Sequence, residues 1–148
     1  MKRIGDYRRL LGVNHTTELN ELKTVYRNFM KEYHPDKYIG SESLQLEAQE
    51  KSKSIIEAYH FLVSINPETQ KQFIQEYTLT TTSAIILDFQ HKGLTLKINF
   101  SDGSIYEYFN VPKSIYIKLI NADSQGRFAR RHIYNSFLYR NITKSTSV

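Results

Sequence analysis

The hydrophobic period of this chain changes once, and that change constrains the fold more than any other feature. Up to about Tyr77, apolar residues recur at helical spacing. The run Leu79-Thr80-Thr81-Thr82 interrupts the pattern. Beyond it Leu94, Leu96, Ile98 and Phe100 alternate with Thr95, Lys97 and Asn99, the period of a half-buried strand. The expected fold class is therefore α+β in two modules, an all-α module followed by a small α+β one. A length of 148 residues accommodates two small domains.

In the first half the clearest helix runs from about Glu18 to Tyr33. Leu19, Leu22, Tyr26, Phe29, Met30 and Tyr33 form its apolar stripe. Lys23, Arg27 and Lys31 recur every four residues on another face and stack into a basic ridge. Pro35 disfavours helical backbone at His34, so the helix is expected to stop there. A shorter helix precedes it, from Asp6 as cap to Leu11, with Gly12 as its stop. A long third helix is expected over 43–63, with Leu44, Ala48, Ile55, Ile56, Tyr59 and Leu62 facing inward. It should pack against the second as an antiparallel pair. Asn66-Pro67 opens a fourth helix, since Asn caps and Pro suits the first helical position.

The ordered set Asp6-Tyr7, Leu10-Leu11-Gly12-Val13, Tyr26-Arg27, Tyr33-His34-Pro35-Asp36-Lys37 and Ile55-x-Glu57-Ala58-Tyr59-x-x-Leu62 resembles the J domain of DnaJ-type co-chaperones. In that family the His-Pro-Asp loop and the basic face of the second helix engage a DnaK-type chaperone and accelerate its ATP hydrolysis. The resemblance implies that His34, Pro35 and Asp36 carry this role here, with Lys23, Arg27 and Lys31 as the docking ridge. Ser52 departs from the pattern, because J domains often place a phenylalanine there.

The second half reads as a strand over 83–89, a turn at His91-Lys92-Gly93, the alternating strand to Phe100, and a third strand over 104–109. Asp102-Gly103 between the last two is a hairpin signal. A helix is expected over 113–122, broken by 123–126. Residues 127–142 mix basic and aromatic side chains without a clean period. The expectation there is a short helix around 128–133 followed by an extended end. The boundaries read from the sequence are 1–77 for the first module, 78–82 for a linker, 83–142 for the second and 143–148 for a frayed tail.

Phe100-x-Asp102-Gly103-x-x-Tyr106-x-Tyr108-x-x-Val111-Pro112, followed by Ala122-x-Ser124-x-Gly126 and Ile133, is similar to the KTSC domain, named for its occurrence at the C-terminus of some lysyl-tRNA synthetases. Arg130 and Tyr134 depart from that pattern, which is expected to hold Asn and a basic residue there. The association implies RNA as a ligand. Charge points the same way. Residues 1–77 hold eleven Lys/Arg against eleven Asp/Glu, and residues 78–148 hold nine against four, so the whole net charge of +5 lies in the second half. Lys118, Arg127, Arg130, Arg131 and Arg140, interleaved with Phe128, Tyr134, Phe137 and Tyr139, have the composition of a nucleic-acid surface, and the five cations with Tyr139 are the candidate contacts, cations for phosphates and a ring for stacking. The opposing reading of the same residues is core aromatics with cations scattered over a solvated surface.

Enzyme chemistry finds no foothold in these residues. His91 and His132 lack acidic partners at metal-ligand spacing, and no Gly-rich phosphate loop or Gly-x-Ser-x-Gly elbow occurs. No cofactor, metal or catalytic residue is expected. The absence of cysteine excludes a disulfide frame. Met1–Asp6 has no apolar core of a secretory signal, and the longest aliphatic run, Ala84–Leu87, is too short for a bilayer. The reading is a cytoplasmic bacterial co-chaperone, with a DnaK-type chaperone as partner and a second module that addresses it to an RNA or a protein client. Its rival is a nucleic-acid-binding protein in which the J domain is secondary.

Overall fold

The computed structural model describes residues 2–143. They form two compact units that divide between Glu68 and Thr69.

The first unit is all helical. Helices α1 (Lys2–Leu11) and α2 (Leu19–Tyr33) both pack on the long helix α3 (Glu42–Ile65), and a single 3₁₀ turn, Pro35–Tyr38, follows α2. Tyr26 stacks on Tyr59 with ring centres 4.0 Å apart, while Ser52 meets Tyr33, so α2 and α3 run antiparallel as expected. Ile4, Leu11, Leu22, Ile55, Tyr59 and Leu62 are buried. Each large apolar side chain so placed contributes roughly 1.5–3 kcal/mol. Leu44, expected inside, is 47% exposed, because it lies beyond Ser52, where α3 meets the last residue of α2. Asn66 caps the next helix through Oδ1, which accepts from the Glu68 N–H at 3.0 Å. That helix is α4 (Pro67–Gln72).

Helix α5 (Ile74–Ser83) runs through the residues expected to be a linker, 78–82, and belongs to the second unit. Threonines are weak helix formers, yet here their hydroxyls bond back along the helix. Thr81 Oγ1 donates to Tyr77 O at 2.9 Å and Thr82 Oγ1 to Thr78 O at 2.7 Å. The strands β1 (Ile86–Lys92), β2 (Thr95–Phe100), β3 (Ile105–Tyr108) and β4 (Tyr139–Asn141) form an antiparallel sheet in the order β1-β2-β3-β4. The sheet thus has four strands where three were read, the extended end of 127–142 supplying the fourth. The first strand begins at Ile86, three residues late, because α5 holds the chain to Ser83.

Alternation is as expected on β2, where Leu96, Ile98 and Phe100 are buried, and it continues on β3 with Tyr106 and Tyr108. Over that face lie α5, α6 (Lys113–Asn121) and α7 (Gln125–His132), which contribute Tyr77, Leu119 and Ala129 to one core with Val111, Ile133 and Tyr134. At the β2–β3 hairpin Gly103 has a φ of +89°, which a residue with a Cβ rarely adopts. Asp102 Oδ1 there accepts from the Ser104 N–H at 2.9 Å, and Oδ2 from the Thr80 hydroxyl at 2.6 Å, which ties the hairpin to α5. Burial pushes this carboxyl up, but the donors of Ser104 and Thr80 outweigh it and hold it below its ordinary value.

Candidate functional site

The His-Pro-Asp sequence sits at the exposed end of α2. His34 takes extended backbone, φ −65° and ψ 129°, as the residue before a proline should, and Pro35 opens the 3₁₀ turn. The turn is held from several sides. His34 O accepts from the Lys37 N–H at 3.0 Å, and His34 Nδ1 accepts from the Asp36 N–H at 3.3 Å. The Tyr38 hydroxyl reaches back to Glu32 O at 3.1 Å. His34 Nδ1 also lies 3.5 Å from Asp36 Oδ2, so the two side chains lean on one another. Both remain open to solvent, at 52% and 79% of their side-chain surface. The backbone is therefore fixed while the polar groups stay available.

Lys23, Arg27 and Lys31, read as a basic ridge, lie about one turn apart along α2. Arg27 and Lys31 are exposed and Lys23 is half-buried. Among the described residues none of the three is ion-paired. An unpaired row of three cations thus leads to an exposed His and Asp, and makes this face of α2 locally electropositive.

In the second unit the six candidate contacts separate into two groups. Arg127, Arg130 and Arg131 are exposed on α7, Lys118 is exposed on α6, and the two helices pack together. Ser124 caps α7 by accepting the Arg127 N–H at 3.3 Å. Arg140 does not join them. It sits on β4 opposite Glu107, to which Nη1 donates at 3.0 Å, and the two side chains are only 18% and 12% exposed. Nor does Tyr139, whose ring lies flat on that of Tyr77, centres 3.9 Å apart. Its hydroxyl is raised above the ordinary tyrosine value by burial. Both residues are structural in this arrangement, because β4 joins the sheet.

The sequence reading named Phe128 among the interleaved aromatics but missed its pairing with His132, the two rings lying 4.8 Å apart. With Arg127, Arg131, Ser124, Asp123 and Ala122 they line an open notch of about 230 Å³. The available signal was the shared spacing of four between Phe128 and His132 and between Arg127 and Arg131. Missed as well was the contact of Ser52, whose hydroxyl donates to Tyr33 O at 2.8 Å. Among the described residues no group of three or more His, Cys, Asp or Glu could hold a metal. No helix among them is long and apolar enough to cross a membrane.

Residues 6–73 match the family model of the DnaJ domain, and residues 82–137 match that of the KTSC domain. The chain carries a J domain followed by a KTSC domain. Curated relatives fall into two matching kinds. "Chaperone protein DnaJ" of Deinococcus proteolyticus is 46% identical over 57 residues, 38% of this chain and 17% of that protein. Its counterpart in Caldicellulosiruptor saccharolyticus is 40% identical over 70 residues, 47% of this chain and 16% of the relative. "Lysine--tRNA ligase" of Trichormus variabilis is 34% identical over 71 residues, 48% of this chain and 11% of the ligase. This chain thus spans less than a fifth of the length of each of these relatives. The J-domain match ends at residue 73, inside the second compact unit, and the KTSC match begins at residue 82, after most of α5.

Proposed function

We propose that this chain is a J-domain co-chaperone that docks on a DnaK-type chaperone in the cytoplasm and stimulates its ATP hydrolysis. The observation that carries the reading is the His34-Pro35-Asp36 turn, fixed by backbone bonds at the end of an unpaired basic ridge. The chain itself does no chemistry on this reading. Lys23, Arg27 and Lys31 attract an acidic face of the partner and orient the encounter. His34 and Asp36 then present their polar atoms, and the bond-breaking groups are all the partner's.

The second unit supplies the address. Lys118, Arg127, Arg130 and Arg131 are exposed on α6 and α7 and unpaired among the described residues, and Arg127 and Arg131 line the notch with the Phe128–His132 ring pair, which favours RNA over a protein client. Cations for phosphates beside rings that accept a base are the elements of a single-strand site. Single-turnover ATP hydrolysis by a purified DnaK-type chaperone, with and without the chain, tests the first part. Retention of RNA on the immobilised chain from a lysate, repeated after nuclease treatment, tests the second.

A further inference from the structure

A helix leaves its last four carbonyls without partners inside the helix. At the end of α2, Glu32 O and Tyr33 O find donors outside it, and so does the next carbonyl along the chain, that of His34. Glu32 O takes the Tyr38 hydroxyl at 3.1 Å and His34 O takes the Lys37 N–H at 3.0 Å. Both donors belong to the 3₁₀ turn, so these two bonds join the turn to the end of α2 and to itself, but not to α3. The bond to Tyr33 O differs. Its donor, the Ser52 hydroxyl at 2.8 Å, comes from α3, 19 positions further along the chain. Ser52 is 6% exposed, so water competes poorly for this carbonyl. The neighbouring residue acts on the same target. Lys51 Nζ stands 5.8 Å from the centre of the Tyr33 ring, within range of a cation–π contact, and Phe29 stacks near the same ring at 6.2 Å. Tyr33, the residue before His34, is therefore held at its backbone and its ring by two consecutive residues of α3.

We propose that Ser52 is a positioning residue for the His34-Pro35-Asp36 turn, with Lys51 in support. Its functional consequence rests on the co-chaperone reading; its structural consequence does not. The side chains of His34 and Asp36 are exposed, so little of their own packing directs them. Their direction is inherited from the peptide that leaves Tyr33, and Ser52 fixes that peptide against α3. A phenylalanine at this position, as the J-domain pattern often has, could pack but could not donate to Tyr33 O. The serine replaces apolar packing with one directed bond, which fixes orientation more narrowly than packing does.

The test compares the full chain with Ser52→Ala, Ser52→Thr and His34→Gln. Native-state amide exchange of Asp36, Lys37 and Tyr38 should be about tenfold faster in Ser52→Ala, the weight of one lost hydrogen bond to a shielded acceptor. It should return to within about twofold of wild type in Ser52→Thr, which keeps the hydroxyl. With a purified bacterial DnaK-type chaperone, the maximal stimulation by Ser52→Ala should fall several-fold, while its half-saturating concentration, set by the α2 ridge, stays within about twofold. Exchange at the turn that matches wild type in Ser52→Ala overturns the proposal. So does an increase spread evenly over α1, α2 and α3, which would make the bond merely structural. Full maximal stimulation by Ser52→Ala, where wild type stimulates and His34→Gln does not, overturns the functional half. Loosening confined to the turn in a chain that stimulates no partner supports the positioning role and sinks the co-chaperone reading instead.

Discussion

The hydroxyl of Tyr77 on α5 lies 2.9 Å from that of Tyr108 on β3 and donates to the Tyr134 carbonyl at 2.7 Å. A phenol has one proton, so Tyr108 must be the donor in the first of these bonds. Tyr77 is 3% exposed and packs flat against Tyr139 and edge-on against Tyr106. Thr80, one turn further along α5, binds Asp102. The helix is therefore part of the second unit's core, though it precedes the matched KTSC segment.

Truncation should expose this dependence. A fragment beginning at Ser83 removes Tyr77 and leaves the Tyr108 hydroxyl and the Tyr134 carbonyl without these partners. Loss of a large buried aromatic costs about 3–5 kcal/mol, which equals the whole stability of many modules this small. A fragment from Thr69 should melt cooperatively by circular dichroism, whereas one from Ser83 should show no transition. In the full chain, Tyr77→Phe keeps the packing and loses both bonds, for a cost of about 1–3 kcal/mol in urea titrations.

Alkali should unfold this unit. Burial raises the hydroxyls of Tyr106 and Tyr134 to about 12, against an ordinary 10.0; the charge of Glu76 adds to the first, and Arg130 opposes the second. Burial also pushes Tyr77 and Tyr108 upward. Because the folded state binds these protons more tightly than the unfolded chain, their contribution is complete below pH 10. It is then lost as pH rises from 10 towards 12, when the unfolded tyrosines ionise and the folded ones do not. Denaturant midpoints should be flat through neutral pH and fall steeply above pH 10, and tyrosinate absorbance should rise together with unfolding.

Much of this was legible, for physical reasons that differ by element. The stripe Leu19–Tyr33 spans four turns, long enough for its period to stand out, and Pro35 marks its end without ambiguity. β2 alternates because one of its faces is buried. By contrast, β4 has three residues, too few to display a period, so Tyr139 and Arg140 passed for surface. Helix α5 was hidden by threonines whose back-bonds to Tyr77 and Thr78 offset their low propensity. The partners of Ser52 and Arg140 lie 19 and 33 positions away, and no local pattern announces such pairs.

His34→Gln should abolish stimulation of a DnaK-type ATPase and leave the melting curve unchanged. The ring is half exposed, and substitutions at such sites stay within about 0.5 kcal/mol. Single-turnover rates measured with saturating variant check this; stimulation equal to wild type would remove the turn from the mechanism.

Arg27→Ala should weaken partner binding, and the loss should shrink as salt rises. Arg27 is exposed and unpaired among the described residues, so it acts through a screened field. Titrations at two ionic strengths read the effect directly. An affinity insensitive to both salt and substitution would reduce the ridge to a solvated helix face.

Arg130 and Arg140 should behave as opposites, although both were first read as RNA contacts. If Lys118, Arg127, Arg130 and Arg131 each neutralise a phosphate of a single strand, log K should fall against log salt with a slope of about −3. Replacing Arg130 and Arg131 together by Gln should flatten that slope by about one to two units, with little effect on stability because both are exposed. Arg140→Gln should leave the slope unchanged. It strands Glu107 at 12% exposure without its guanidinium, so it should cost about 1–3 kcal/mol of stability instead. His132→Ala should lower RNA affinity by an amount that salt does not alter, since stacking beside Phe128 is not screened. Filter retention across a salt series, paired with urea melts of the same proteins, separates the two behaviours. A slope that Arg140→Gln flattens as much as the Arg130 and Arg131 pair would mean that β4 opens to admit the ligand, and that α7 is not the binding face.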